Sequence, residues 1–456
     1  MRVAIIGAGI TGLSAAYDLQ KKEAVRVTLY EQNSVPGGKV QTIREGPYLI
    51  EQGPDSIFST KPWATELMVE LGMEGELAEP CASEFSILTK GKLHKVPRGL
   101  ASLMPSASQV EEAGFLSPAD KRLVLQEGSV QAGDGQEESV ASFFRRRFGK
   151  AFSMTVAEPM LAGTHAGDPE KLSMPALYPA YVEVERNHGS FAKTGAARAA
   201  VSSGGARRVG FVTLRGGMGS FTARLAAALT EVEWKKGTHV TSVELQGSSV
   251  GVRSASGVEI YDEVLLALPA YQSAELLRET VPAIADLLRG IRFVSTAIVT
   301  LAYPRMALPH PVTGTGFLVS ATENFPLSGC TWTSDKWADR APDDTLLLRA
   351  FLGRDGGLQV DDRSDEELIA TAVNALNSLL SPKRAPTFSR VDRWSKGMAQ
   401  YELGHLNRLS QIDAGLEPLP LFVAGSSYRG NSIPDCVRQG RDAAGKILSS
   451  TPSRPA

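Results

Sequence analysis

Residues 3–12 read Val3-Ala4-Ile5-Ile6-Gly7-Ala8-Gly9-Ile10-Thr11-Gly12. The first four are a continuous apolar run, as expected of a parallel strand buried on both faces. The rest is a GxGxxG. Leu13, Ala16, Tyr17 and Leu19 follow on one helical face, and residues 25–31 read as a second strand ending on the acid Glu31. Gly7 permits the tight turn, Gly9 lets a diphosphate approach the backbone, and Gly12 allows close packing of helix on strand. The helix N-terminus faces the anion. Glu31 lies 19 residues past Gly12, where a ribose-binding acid belongs. Strand, turn, helix, strand and acid together predict a dinucleotide-binding βαβ unit.

The chain of 456 residues holds roughly three domains' worth of sequence. It is 43% hydrophobic and 21% charged, which excludes global disorder. With 48 Lys and Arg against 50 Asp and Glu, it has no electrostatic case for nucleic acid. Cys81, Cys330 and Cys436 are odd in number and far apart, which argues against a disulfide scaffold and for a reducing compartment. No two of the six histidines lie within a helical turn of each other and no CxxC exists, so no metal is expected. Met1 leads into an apolar run too short for a signal sequence, and the longest apolar stretch, 293–304, is short of a membrane span. A cytoplasmic protein with no transmembrane segment is expected. The run Phe143-Phe144-Arg145-Arg146-Arg147-Phe148 has the composition for peripheral membrane contact. The plainer reading is preferred: an amphipathic helix capped near Gly149, with a solvated basic face.

Further pieces complete the nucleotide fold. Leu214-Arg215-Gly216-Gly217-Met218-Gly219-Ser220 precedes a helix at 221–229 and reads as a turn and cap. Residues 238–245, 250–253 and 258–261 form a meander, and 263–269 is a buried strand ended by proline. Leu421-Phe422-Val423-Ala424-Gly425 is another buried strand, followed by a helix from Ile433 to Ile447. Its N-terminus is expected to face the cofactor from a second direction. Gly247-Ser248-Ser249-Val250-Gly251 matches the GxSxG of serine hydrolases, but it sits between two strands and reads as a turn. Between these pieces, residues 62–186 look helical and irregular, with one helix at 62–72. Residues 189–210, carrying Lys193, Arg198, Arg207 and Arg208, read as a loop. Residues 292–394 are mostly strands (295–301, 316–319, 329–333 and 346–352) with one helix at 366–380.

The doublet Gly37-Gly38-Lys39 resembles that of flavin amine oxidases, with lysine where arginine is commoner, and favours FAD over NAD. Other stretches resemble more specifically the protoporphyrinogen and coproporphyrinogen oxidases. They include Glu51-Gln52-Gly53-Pro54-Asp55-Ser56, Ala166-Gly167-Asp168, Lys171-Leu172-Ser173 and Cys330-Thr331-Trp332-Thr333. Gln400-Tyr401, Gly404-His405 and Ile433-Pro434-Asp435-Cys436 extend the likeness to the C-terminus. The resemblance implies an α/β fold: a Rossmann-like FAD-binding domain of the amine-oxidase-like flavoprotein kind, a β-sheet substrate domain and a helical domain. The expected division is 1–60, 211–272 and 420–456 for FAD, 61–97 and 273–419 for substrate, and 98–210 for the helical part.

The resemblance also implies contacts. Gly7, Ala8, Gly9, Ile10, Thr11, Gly12, Glu31, Gln32, Gly38 and Lys39 are expected at the cofactor. So are Gly53, Pro54, Asp55, Ser56, Val240, Trp394, Gly425, Asn431, Ser432 and Ile433. FAD is expected without a covalent link, Cys436 being a packed helix residue. The implied reaction is oxygen-dependent oxidation of CH–CH groups: coproporphyrinogen III loses six hydrogens, two at a time, and O2 becomes H2O2. Protoporphyrinogen IX is the alternative substrate; a flavin amine oxidase, a carotenoid desaturase or a non-enzymatic FAD-binding scaffold are more distant readings. Propionates on the substrate need cations. Lys61, Arg98 and Lys193 are the candidates, and Lys61, five residues past Ser56, is preferred, with a second role as proton acceptor. The family usually reads Gly-x-Tyr-Ala-Gly-Asp where this chain has Gly163-Thr164-His165-Ala166-Gly167-Asp168. His165 is therefore a candidate at the substrate cavity, its plainer reading being a filler of the same space.

Overall fold

The structure is a computed structural model that describes residues 1–97, 100, 103–161, 163–194 and 210–450. A five-stranded parallel sheet organises one side of the molecule. Its order is Val232–Lys236, Arg26–Glu31, Arg2–Ile6, Glu263–Leu266, Leu421–Val423. The apolar runs read from the sequence supply four of these strands. The helix Ile10–Gln20 covers one face, packed with Leu13, Ala16 and Leu19 against the C-terminal helix Ile433–Ser449. That packing is close: a Cβ on Gly440 would lie 2.3 Å from the Thr11 carbonyl oxygen. The meander Val240–Gln246, Ser249–Ser254, Gly257–Tyr261 covers the other face. Gly247, at φ +63°, turns between its first two strands, so the GxSxG is a hairpin turn and no nucleophile elbow.

A seven-stranded mixed sheet faces this unit. Its order is Phe388–Ala399, Phe293–Pro304, Thr345–Leu352, Gly329–Trp332, Gly316–Val319, Ser86–Thr89, Lys92–Lys95. The helix Asp365–Leu380, started by a Ser364–Glu367 capping box, packs Leu368, Ala372 and Leu376 on it. A third layer of short helices, from Ala107–Glu112 to Pro179–His188, surrounds a core of Phe143, Phe144, Phe148, Phe152 and Phe191.

Three differences from the sequence reading stand out. Residues 62–186 are not all helical or irregular, because the hairpin Ser86–Thr89/Lys92–Lys95 leaves that stretch and closes the edge of the large sheet. Val232–Lys236 and Phe388–Ala399 are strands whose polar composition concealed them. The aromatic–basic run forms a helix, Val140–Phe148, ending at Gly149 as expected, but its basic face is not simply solvated. Arg147 is fully buried and pairs with Glu127 at 2.9 Å, and Arg146 pairs with Glu138 and Glu185. The phenylalanines face the core, so this run offers no aromatic patch to a membrane surface. No helix among the described residues is long and apolar enough to cross a membrane.

Candidate active site

The glycine-rich turn is held by contacts that only glycine allows. Gly7 has φ +103°, and a Cβ there would lie 2.7 Å from the Ala267 carbonyl oxygen. A Cβ on Gly12 would lie 2.0 Å from the Gly7 carbonyl oxygen, so helix and turn touch backbone to backbone. Gly9 is different: nothing lies within 4 Å of its missing Cβ. The Gly37-Gly38 doublet joins this turn, with the Gly37 amide donating to the Ala8 carbonyl at 2.8 Å. Gly38, at φ +59°, comes against the Gly9 Cα.

Glu31 is buried at the end of its strand. One carboxylate oxygen accepts from the Ala8 amide at 2.9 Å; the other accepts from the Asn33 amide and side chain. The following turn bonds to the same place, Thr238 donating to the Glu31 carbonyl and Gly237 to that of Asn33, which starts the next strand at Val240. The turn before Val240 therefore lies beside Glu31. Gln32 is exposed beside them.

The C-terminal helix begins next to this turn. Gly425, at φ +131°, ends the last strand with Thr11 Oγ1 facing it, and Cys436 reaches the Thr11 hydroxyl. Two helix N-termini, at Gly9 and Ser432, therefore converge. The first has no side-chain cap, leaving its amides to an external anion. Lys39 adds to this. Its ammonium donates to the Gly397 carbonyl and has no carboxylate partner among the described residues. Burial lowers its pKa below the usual lysine value. An uncapped helix end, an open Gly9 and a buried unpaired ammonium fit the diphosphate of a dinucleotide.

The large sheet is tied over this site. Trp394 Nε1 donates to the Gln52 carbonyl at 2.6 Å, Gln52 Nε2 donates to Asp392 at 2.8 Å, and Arg349 donates to the Gly53 carbonyl. The Gln52-Gly53 segment and Trp394 are thus held against each other. Pro54 is exposed. Asp55 is spent on the protein: it pairs with Lys336 at 3.0 Å and accepts from Trp337 Nε1 at 3.1 Å and from Ser56. Burial opposes its ionisation, but Lys336 and Arg349 outweigh that and hold the carboxyl well below its usual range. Its role here is to fasten the segment. The Gly216-Gly217 turn is likewise capped from within, Glu51 accepting from the Met218 amide and Thr42 from that of Gly219.

A polar cluster gathers at the start of the C-terminal helix. Lys61 forms a 2.6 Å ion pair with Asp435, which also accepts from Ser432 Oγ at 2.5 Å. Ser432 in turn accepts the Asp435 amide, capping the helix that Ile433 begins. His165 is buried between Tyr178, 2.9 Å from its Nε2, and Asn431, 2.8 Å from its Nδ1. Burial first, and then Lys61, push its pKa down to about 4 against the pull of Asp435. Lys193 is exposed on the helical layer and has no ion pair among the described residues. Arg98 lies outside the described residues, as do Arg198, Arg207, Arg208 and most of the 189–210 loop. Asp435 and Tyr178 had not been assigned a role from sequence. Serine at the helix start with an acid three residues on is a capping signature that marks Asp435; nothing local marks Tyr178. Among the described residues no group of His, Cys, Asp and Glu could hold a metal ion.

The family model for flavin-containing amine oxidoreductase matches residues 10–448. The coproporphyrinogen III oxidase of Bacillus subtilis (strain 168) is 32% identical over 98% of both chains. The mitochondrial protoporphyrinogen oxidase of Nicotiana tabacum is 27% identical, covering 98% of this chain and 95% of its own. A solved structure from Exiguobacterium sp. 255-15, 29% identical, matches 99% of each chain with a TM-score of 0.87. With a dinucleotide cradle that fits FAD and these full-length likenesses, the chain belongs to the flavin-containing amine oxidoreductases, among the protoporphyrinogen and coproporphyrinogen oxidases, and its cofactor is FAD.

Proposed function

We propose that the protein oxidises coproporphyrinogen III to coproporphyrin III in haem biosynthesis, in the cytoplasm, with O2 as acceptor. The observation that carries this reading is the 32% identity with the Bacillus subtilis coproporphyrinogen III oxidase, against 27% for the tobacco protoporphyrinogen oxidase. The ring gives up six hydrogens in three two-electron steps, and three O2 leave as three H2O2. Bound FAD supplies the two-electron acceptor.

The chain's own residues do the rest. The two converging helix ends and Lys39 hold the diphosphate, and Glu31 takes the ribose hydroxyls. The large sheet, fastened to the Gln52–Asp55 segment through Trp394, Lys336 and Arg349, would cover the ring and exclude water when the cofactor is bound. Lys61, its side chain 44% exposed, sits at the rim as a cation for a propionate. The division made from the sequence gives FAD to residues 1–60, 211–272 and 420–456, and the substrate to 61–97 and 273–419.

Anaerobic addition of coproporphyrinogen III to the yellow holoenzyme tests the reading. The flavin band is expected to bleach, and air to restore it with three H2O2 per porphyrin. A band that stays unchanged ends the proposal. Protoporphyrinogen IX is the second reading, favoured by the tobacco likeness.

A further inference from the structure

The surroundings of His165 fix the order of protons along a chain of four groups. Tyr178 Oη lies 2.9 Å from the Leu161 carbonyl oxygen and 2.9 Å from His165 Nε2. A phenol has one proton to give. If Tyr178 gave it to the imidazole, its oxygen would face the Leu161 carbonyl oxygen at 2.9 Å with no proton between them. The stable order has Tyr178 donating to Leu161. Its oxygen then accepts, so His165 Nε2 must carry the ring proton.

That leaves His165 Nδ1 as a lone-pair acceptor. The group 2.8 Å from it on Asn431 must donate, which makes it the amide nitrogen Nδ2. The carbonyl Oδ1 of Asn431 is then the free end. It has no hydrogen-bond partner among the described residues, and Asn431 is only partly covered. Asn431 directly precedes Ser432, which caps the helix that faces the cofactor cradle. A tyrosine at position 165 would present a hydroxyl able to donate or accept, and the amide could turn either way. The imidazole removes that freedom.

We propose that Asn431 is a specificity-determining hydrogen-bond acceptor whose polarity His165 sets, and that it receives a ring N–H of the molecule bound beside the C-terminal helix. This rests on the porphyrinogen reading for one of its two sources, a pyrrole N–H. The other source is an N–H of the flavin ring. His165 is a positioning residue: it acts through Asn431.

The first test is nitrogen NMR of the holoenzyme labelled with 15N-histidine, without substrate. His165 is expected as the neutral Nε2–H tautomer at pH 7, and the signal to change in Tyr178→Phe. An Nδ1–H tautomer or an imidazolium overturns the proposal. The second test uses Asn431→Leu, which keeps size and removes the acceptor. A roughly 10-fold rise in KM for coproporphyrinogen III, with the resting flavin band unmoved, assigns the acceptor to the pyrrole. A shifted flavin band in the substrate-free enzyme with KM held assigns it to the flavin. No change in either overturns it. His165→Asn, which retains an acceptor for Asn431, should recover most of what His165→Phe loses, and equal losses overturn the positioning role. An unsubstituted enzyme inert toward porphyrinogens would sink the functional reading, while the tautomer and flavin-band measurements would still decide this one.

Discussion

Lys61 and Asp435, 374 residues apart in the chain, meet in an ion pair of 2.6 Å at the start of the C-terminal helix. Asp435 is the buried partner and Lys61 the half-exposed one, so the pair is anchored from the helix side. Ser432 and the Asp435 amide satisfy the carboxylate further. Lys61 is thereby held in place with part of its ammonium still turned to solvent.

Lys61→Ala is expected to lower kcat/KM for coproporphyrinogen III about five-fold and for protoporphyrinogen IX less. Solvent screening at a partly exposed cation limits a single contact to about 1 kcal/mol. The loss should shrink as salt is raised. Steady-state kinetics on both substrates at two ionic strengths checks this; equal loss on both would place Lys61 at a feature the two rings share.

Gly9 and Gly12 should separate cofactor binding from folding. Ala at position 12 puts a Cβ 2.0 Å from the Gly7 carbonyl, so Gly12→Ala should destabilise the fold by about 2 kcal/mol or more. Ala at position 9 meets no protein atom within 4 Å, and φ of −73° suits it. Gly9→Ala is therefore expected to keep the melting temperature of the apoprotein while losing most of its FAD. Flavin retention on gel filtration and apoprotein melting curves read the two effects. Retained FAD in Gly9→Ala would mean that the diphosphate does not pass there.

Cys436 is buried, and desolvation pushes its thiol up to about 11 despite its place at a helix start. Cys330 is buried as well, and Cys81 is exposed. A thiol reagent is expected to count one cysteine in the native protein and three after denaturation. Denaturation should also release all of the yellow colour. Flavin left on the precipitate, and lost in Cys436→Ala, would reveal a covalent link.

Acid should weaken the fold through two histidines. Burial pushes His165 and His405 down to about 4 from an ordinary value near 6.5. Between those values the unfolded chain binds protons that the folded one refuses, so this contribution is complete above pH 6.5 and is lost as pH falls toward 4. At about 1.4 kcal/mol per pKa unit, each histidine is worth on the order of 2–3 kcal/mol over that window. Glu51 and Glu158 act in the opposite sense, since burial raises their pKa. Comparing unfolding midpoints of the unsubstituted protein and His165→Phe from pH 7 to 4.5 isolates one histidine. The variant should lose less stability on acidification, and parallel curves would show that His165 is not held neutral.

What could be read from the sequence was local. Val3 to Glu31 carries strand, turn, helix and acid within one stretch, and the structure assembles them in that order. The strand Val232–Lys236 eluded the same reasoning because it lies at the sheet edge, where Glu233, Lys235 and Lys236 replace an apolar run. Phe388–Ala399 eluded it because its charged residues are satisfied within the fold: Arg390 pairs with Glu45 and with Asp392 two residues on, Asp392 also accepts from Gln52, and Arg393 pairs with Asp365. At the site, glycine spacing located the cradle. The Asp55–Lys336 and His165–Asn431 contacts join segments hundreds of residues apart, and no spacing rule anticipates such pairs. Arg147 shows the same limit: a run of three arginines looks like a solvated face until Glu127 is seen beside it.

The central claim is the substrate, and the most direct measurement is kcat/KM for coproporphyrinogen III and protoporphyrinogen IX side by side, followed by porphyrin fluorescence. Coproporphyrinogen carries four propionates against two, so the account predicts faster turnover of coproporphyrinogen, with a margin that narrows as salt rises. Faster turnover of protoporphyrinogen IX under the same conditions would contradict it.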